Sequence, residues 1–223
     1  MDPSALGGFD SVHHVYHALG PEKYYQNHGA NYKNPHDQSI HLALHEALEA
    51  WSNNHSLITP LPKQMKTNPH HKTSLFTNQH SKPILRVLDL ACGSGEASLA
   101  LKRWSTLRFT VDVDATDPYT YEAYEKRTGC AAMRYSFEDI ANGALDTRPR
   151  YDLVLASFCL HLLDKSWLFS VLFALCKGAR YLIVLTPHKR PVIDASTGWE
   201  LVDEQVHLRV RARLYSNSSW EED

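Results

Sequence analysis

Two carboxylates stand where a nucleoside site would need them. In Val87-Leu88-Asp89-Leu90-Ala91-Cys92-Gly93-Ser94-Gly95-Glu96, an apolar run that reads as a strand ends in an acid and a glycine-rich turn, and a helical pattern follows. Gly93 and Gly95 let the backbone turn tightly and approach a ligand with no Cβ in the way. A dinucleotide fingerprint is the rival reading, but its third glycine position holds Ser98. Asp89 would also sit beside a pyrophosphate it repels, whereas it would attract an ammonium group. Asp117 closes the next apolar run in Ala115-Thr116-Asp117-Pro118-Tyr119. A carboxylate at that strand tip accepts hydrogen bonds from both hydroxyls of a ribose, or else caps the helix that follows. The third run ends in Tyr135-Ser136-Phe137-Glu138-Asp139, which offers an apolar ring to a base or to the core, and acceptors for an exocyclic amine. Together the three strand ends describe an adenosine with a positively charged tail.

Candidates for the acceptor side fall in three segments, each expected at or over the carboxyl edge of a sheet. His161 follows the fourth run in Phe158-Cys159-Leu160-His161-Leu162-Leu163, as a general base or a satisfied half-buried histidine. His188, Lys189 and Arg190 follow the fifth run between Pro187 and Pro191. Their cations would favour an anionic acceptor, or form a solvated face. The N-terminal set is Tyr24, Tyr25, His28, Tyr32 and His36. These tyrosines would either stack near a positive charge or pack a helix onto the sheet. Cys92 reads as a small apolar filler rather than a reactive thiol.

These residues resemble the class I S-adenosylmethionine-dependent methyltransferases over about residues 85–186. Asp89-Leu90-Ala91-Cys92-Gly93-Ser94-Gly95 is similar to their first motif, D-x-G-x-G-x-G, with Ala91 in place of the first glycine. Asp117, followed by Pro118, matches the ribose-binding acid. Ser136 and Phe137 fall where the family contacts adenine, and Ser136 replaces the acid usual there, so Ser136, Glu138 and Asp139 all remain candidates for the base. Tyr151-Asp152-Leu153-Val154-Leu155-Ala156-Ser157-Phe158 is similar to the fourth-strand motif and adds Ser157 to the cofactor wall. The resemblance implies S-adenosylmethionine as cofactor and a seven-stranded sheet whose last strand runs antiparallel. It also implies an N-terminal helical lid, which would bring Tyr24 and Tyr32 to the cofactor, and Tyr25 and His36 to the acceptor.

Elements that could position these groups follow from periodicity. Strand-like runs at 85–90, 109–116, 131–136, 152–157 and 181–186 alternate with helical runs at 96–104, 119–128 and 165–177. That is the pattern of an α/β, doubly wound, mostly parallel sheet with helices on both faces. Gly129 and Gly178 stand where left-handed helix caps are wanted. Two last runs, 199–204 and 206–215, read as an antiparallel hairpin at the sheet edge. Residues 191–198 leave little room for a connecting helix. Before the sheet, Asn34, Pro35 and Asp37 read as N-cap, first helical position and an acid in the first turn. Ile40, Leu44, Ala47, Leu48 and Trp51 then recur at helical spacing. The expected parts are a lid segment at 1–51, a polar insertion at 52–83, a core at 84–217 and an acidic tail at 218–223.

Composition narrows the function classes. The 223 residues are 43% hydrophobic, enough for one good core. Lys and Arg total 23 against 25 Asp and Glu, which gives no whole-chain basic footprint for nucleic acid. Cys92, Cys130, Cys159 and Cys176 form no C-x-x-C pair and read as buried reduced thiols. No basic-apolar leader opens the sequence, and no apolar run reaches a membrane span's length, so a cytoplasmic or nuclear location is expected. Histidines 55, 70, 71 and 80 match no ligand spacing, so no metal is expected. A small-molecule acceptor is favoured over RNA or protein. A non-catalytic cofactor-binding subunit is the alternative from another class, and oligomeric state is unreadable.

Overall fold

The computed structural model describes residues 23–54, 82–105 and 109–220. Most of the expected insertion and half of the expected tail lie outside these residues. A helical stretch at 23–28 and a 3₁₀ turn at Gly29–Asn31 lead into α1, Asp37–Asn54. Asn34 caps this entry, its Oδ1 accepting from the His36 N–H at 2.9 Å.

Six strands form one sheet: β1 Ile84–Leu90, β2 Thr110–Thr116, β3 Tyr151–Ser157, β4 Ala179–Thr186, β5 Trp199–His207 and β6 Val210–Asn217. Their order is β2-β1-β3-β4-β6-β5. The first four run parallel, and β6 pairs antiparallel with both β4 and β5. Between them lie α2 Glu96–Ser105, α3 Tyr121–Thr128, α4 Phe137–Ala141 and α5 Lys165–Gly178.

Period two explains how one sheet serves two layers. On β3, Leu153 and Leu155 enter a cluster with α1 and α2, while Val154 and Ala156 enter one with α4 and α5. A strand buried on both faces must be apolar throughout, which is why these runs do not alternate with polar residues. α1 adds Ile40, Leu44, Leu48 and Trp51 to the first cluster, all buried. The Trp51 ring meets those of Trp104, Phe109 and Tyr181.

Several expectations need correction. Among the described residues the sheet has six strands and no seventh: the run at 131–136 makes a single parallel bridge, Thr116 with Met133. Its end is diverted to α4, where Ser136 and Asp139 form a capping box instead of extending a ladder. Gly129 is the left-handed cap expected of it, at φ 73°. Gly178 instead lies inside α5, and the chain passes straight into extended Ala179. The hairpin turns at Leu208 and Arg209, both left-handed, rather than near residue 205. Two-residue hairpins want that geometry, but neither residue type announces it. Between β4 and β5 there is only a 3₁₀ turn, Ala195–Thr197, as the short connection required. No described helix is long and apolar enough to cross a membrane.

Candidate cofactor site

The β1–α2 turn is held from three sides. Ala91 is left-handed at φ 51°, at the position where the resembling motif has its first glycine. Gly93 follows at φ +57°, and a Cβ there would lie 3.0 Å from Tyr32 Cε1. Gly95, at φ +89°, has Thr128 Cγ2 only 2.5 Å from where its Cβ would be. One glycine thus admits the N-terminal segment and the other admits α3.

Asp117 ties this turn to the next. Its Oδ1 accepts from the Tyr119 and Thr120 N–H groups at 2.9 Å, and its Oδ2 from the Gly93 N–H at 3.3 Å. Thr120 Oγ1 in turn donates to the Gly93 carbonyl at 2.9 Å. The carboxylate therefore does cap the α3 entry. An ionised carboxylate has about four acceptor sites, and three are taken, so capacity for one ribose hydroxyl is left.

Asp89 and Glu96 divide the roles that the sequence offered to Asp89 alone. Asp89 is fully buried and does not line the cavity. Its Oδ2 accepts from the Ser98 N–H and Oγ at 3.1 and 2.6 Å, so it grips the first turn of α2. Loss of water pushes its pKa up to about 7, against the Ser98 hydrogen bonds and with help from the Glu96 and Asp117 charges. Glu96 does line the cavity. Its Oε1 accepts from the Asn34 N–H, Ser94 Oγ and Arg127 Nη1, while Oε2 accepts only from the Ser94 N–H, at 3.1 Å. The signal for Glu96 in the sequence is its place as the first residue after the glycine turn.

These turns border a cavity of about 450 Å³ at the carboxyl edge of the parallel strands. Ala91, Cys92, Gly93, Asp117 and Pro118 line it, as do Ser136, Phe137, Glu138 and Ser157, and Tyr25 and Tyr32 close it from the N-terminal side. Gly95 and Tyr24 do not line it; Tyr24 packs edge-on against Tyr25 and beside His28. Asp139 is committed to the Ser136 capping box, with its Oδ2 accepting from the Ser136 N–H and Oγ. Of the two carboxylates beyond Ser136, Glu138 is the one on the cavity wall. Phe158, Asn34, Tyr119 and Trp167 join the lining without having been singled out from the sequence as ligand contacts. Phe158 is left-handed at φ 57°, an uncommon conformation for an aromatic residue that concentrates at functional sites. Ser157 Oγ and Thr116 Oγ1, both on lining residues, are buried with no hydrogen-bond partner.

None of the candidate histidines, His28, His36, His161 and His188, is among the residues lining the cavity. His36 stacks on Phe158 with ring centroids 5.2 Å apart. His161 and His188 meet edge to face at 4.9 Å, and neither lines the cavity. Burial and the His188 charge lower the His161 pKa to about 4, so it is neutral near pH 7. Residues 187–190 are exposed, and Arg213 fastens their loop by donating to the Lys189 and Pro191 carbonyls. Burial pushes the Cys92 and Cys159 thiols up, so both stay protonated, while Cys130, beyond the α3 cap, is exposed rather than buried.

No family model matches the sequence. An uncharacterized protein of Schizosaccharomyces pombe is 32% identical over 215 residues, 82% of this chain and 78% of that one. Magnesium protoporphyrin IX methyltransferase from Synechocystis PCC 6803, solved with its methyl donor bound, is 16% identical at a TM-score of 0.49; the match covers 97% of this chain and 100% of that one. An O-methyltransferase family protein from Burkholderia thailandensis is 18% identical at a TM-score of 0.49, covering 61% of this chain and 52% of that one, so this chain spans about half its length. The chain belongs to one protein family with the Schizosaccharomyces pombe protein, and its own fold is α/β and Rossmann-like, a mostly parallel sheet with β6 antiparallel and helices on both faces.

Proposed function

We propose that this protein transfers a methyl group from S-adenosylmethionine to a small-molecule acceptor. The observation that carries this reading is the charge of the cavity. Among the described residues, Glu96, Asp117 and Glu138 line it, and no Lys, Arg or His does. A pyrophosphate would meet three carboxylates, of which Arg127 neutralises Glu96 from behind the wall, whereas a ligand carrying sulfonium and ammonium groups is matched in sign to Asp117 and Glu138. Asp117 would hold the ribose, and Pro118, Phe137 and Glu138 the base. Glu96 Oε2 would meet the ammonium, in place of Asp89.

The donor supplies a methyl group on positive sulfur, with a neutral thioether as leaving group. What remains for the protein is alignment and exclusion of water. Tyr25, Tyr32 and Phe158, on the cavity wall, would serve this role. With no histidine on the wall among the described residues, the reading favours an acceptor whose own lone pair attacks without a general base. The exposed His188-Lys189-Arg190 loop lies off the wall, so it lends no support to an anionic small acceptor. Among the described residues it is the feature that favours a second reading, a polyanionic acceptor such as RNA, and affinity that falls steeply with added salt would favour that reading.

Calorimetry with S-adenosylhomocysteine tests the reading directly. Saturable heat is expected from the full chain and its loss from Asp117→Ala. Absence of heat, together with uptake of a nicotinamide dinucleotide, would refute it. Transfer of labelled methyl to a cell extract then separates an enzyme from a binding subunit.

A further inference from the structure

The N-terminal roof and the cofactor turns meet on one guanidinium. Arg127, in the last turn of α3, donates through Nη1 to Glu96 Oε1 and Ser94 Oγ, each at 3.0 Å, and through Nη2 to Asp37 Oδ2 at 2.7 Å. Asp37 opens α1, the first residue after the roof. Asn34, inside the roof, donates its N–H to the same Glu96 Oε1 at 3.0 Å. The Glu96 side chain is only 5% exposed, so its charge needs the partner that Arg127 supplies.

We propose that Arg127 is the positioning residue that holds residues 23–36 closed over the cavity, and that this closure sets the affinity for the cofactor. The second half rests on the methyl-donor reading; the first does not. A planar guanidinium offers a fork to two diverging acceptors at once, which a lysine ammonium on a single stem does not reproduce. Without the fork, Glu96 keeps only neutral donors and Asp37 is released from α3. The body of α1 stays docked, because Ile40, Leu44, Leu48 and Trp51 hold it by burial. Opening is therefore confined to the segment before it, which carries Tyr25, Tyr32 and Asn34 into the cavity wall.

Hydrogen exchange by mass spectrometry and calorimetry on the full chain test both halves. In Arg127→Met, peptides within 23–36 should exchange about tenfold faster with the sheet peptides unchanged, and the dissociation constant for S-adenosylhomocysteine should rise about tenfold. Arg127→Lys should restore neither. Unchanged exchange in 23–36 overturns the proposal, and faster exchange at unaltered affinity overturns the link to the cofactor. If Arg127→Met does not fold, Asp37→Asn, which leaves the Arg127–Glu96 pair in place, carries the same test. A wild-type chain that takes up no S-adenosylhomocysteine sinks the functional reading, and exchange alone then decides the role of Arg127.

Discussion

Asp89 is a carboxylate that the fold holds against its solvation. Its folded pKa, near 7, lies above the usual value of about 3.9 in an unfolded chain. Between those values the folded state keeps a proton that the unfolded state has lost, so stability falls as pH rises from about 4 to about 7 and is level beyond. The fall amounts to a few kcal/mol at most, about 1.4 per unit of difference. Urea denaturation across this window should show the decline in the wild type and its absence in Asp89→Asn. A flat wild-type profile would mean that Asp89 is ionised throughout. The glycine turn gives a second contrast. Gly95→Ala combines a left-handed φ with a 2.5 Å clash at Thr128, and should cost about 2–4 kcal/mol. Ala91→Gly removes a left-handed alanine and should change stability by less than about 1 kcal/mol in either direction. Both are read from denaturation midpoints. The orientation of Asp89 was latent in the sequence. Leu88 and Leu90 face α4 and α5 while Val87 faces α1 and α2, so strand alternation puts Asp89 on the α2 side, against Ser98. Reading the motif as a string of letters hides this, because the motif says nothing about faces.

At the scale of elements, local chemistry outweighed strand propensity at one place that matters to the site. Ala131–Met133 has two backbone hydrogen bonds to β2 and its neighbour, and then the chain turns away to cap α4. This short helix carries Phe137 and Glu138 on the cavity wall, so its cap is also a positioning device. Ser136→Ala removes the side-chain half of the box and should cost about 1 kcal/mol of stability. It should also weaken S-adenosylhomocysteine binding, since the exposed Ser136–Asp139 pair is what fixes the start of α4. Unchanged affinity in calorimetry would separate α4 from the cofactor. Strands with continuous apolar runs, and helices with an aligned apolar face, were legible because burial on two sides or on one leaves a plain pattern. The missing seventh strand and the position of the hairpin turn were not. The former depends on competition between a ladder and a cap, and the latter on left-handed Leu208 and Arg209, which carry no turn signal.

At the scale of the molecule, what reads in sequence as one N-terminal lid has two physical roles. Residues 23–36 roof the cavity, but α1 is part of the core. Ile40, Ala43, Leu44, Ala47, Leu48 and Trp51 are each at most 4% exposed, and they cover α2 and the sheet face formed by β4, β5 and β6. Removing one such large side chain costs about 2–5 kcal/mol, against a whole-domain stability of about 5–15 kcal/mol. Deleting residues 1–36 should therefore leave a cooperative unfolding transition and intact helix content by circular dichroism, while cofactor affinity falls because Tyr25, Tyr32 and Asn34 are gone. Deleting residues 1–54 should abolish the transition, because several buried side chains leave together and the Leu153, Leu155 and Ile183 face is opened to water. The pair of truncations separates roof from core in one comparison. If the shorter deletion unfolds, Gly29 against the Tyr119 backbone and Asn34 on Glu96 are holding the sheet together as well as the roof. If the longer one folds, the face that α1 covers is stable without it, and the burial argument fails.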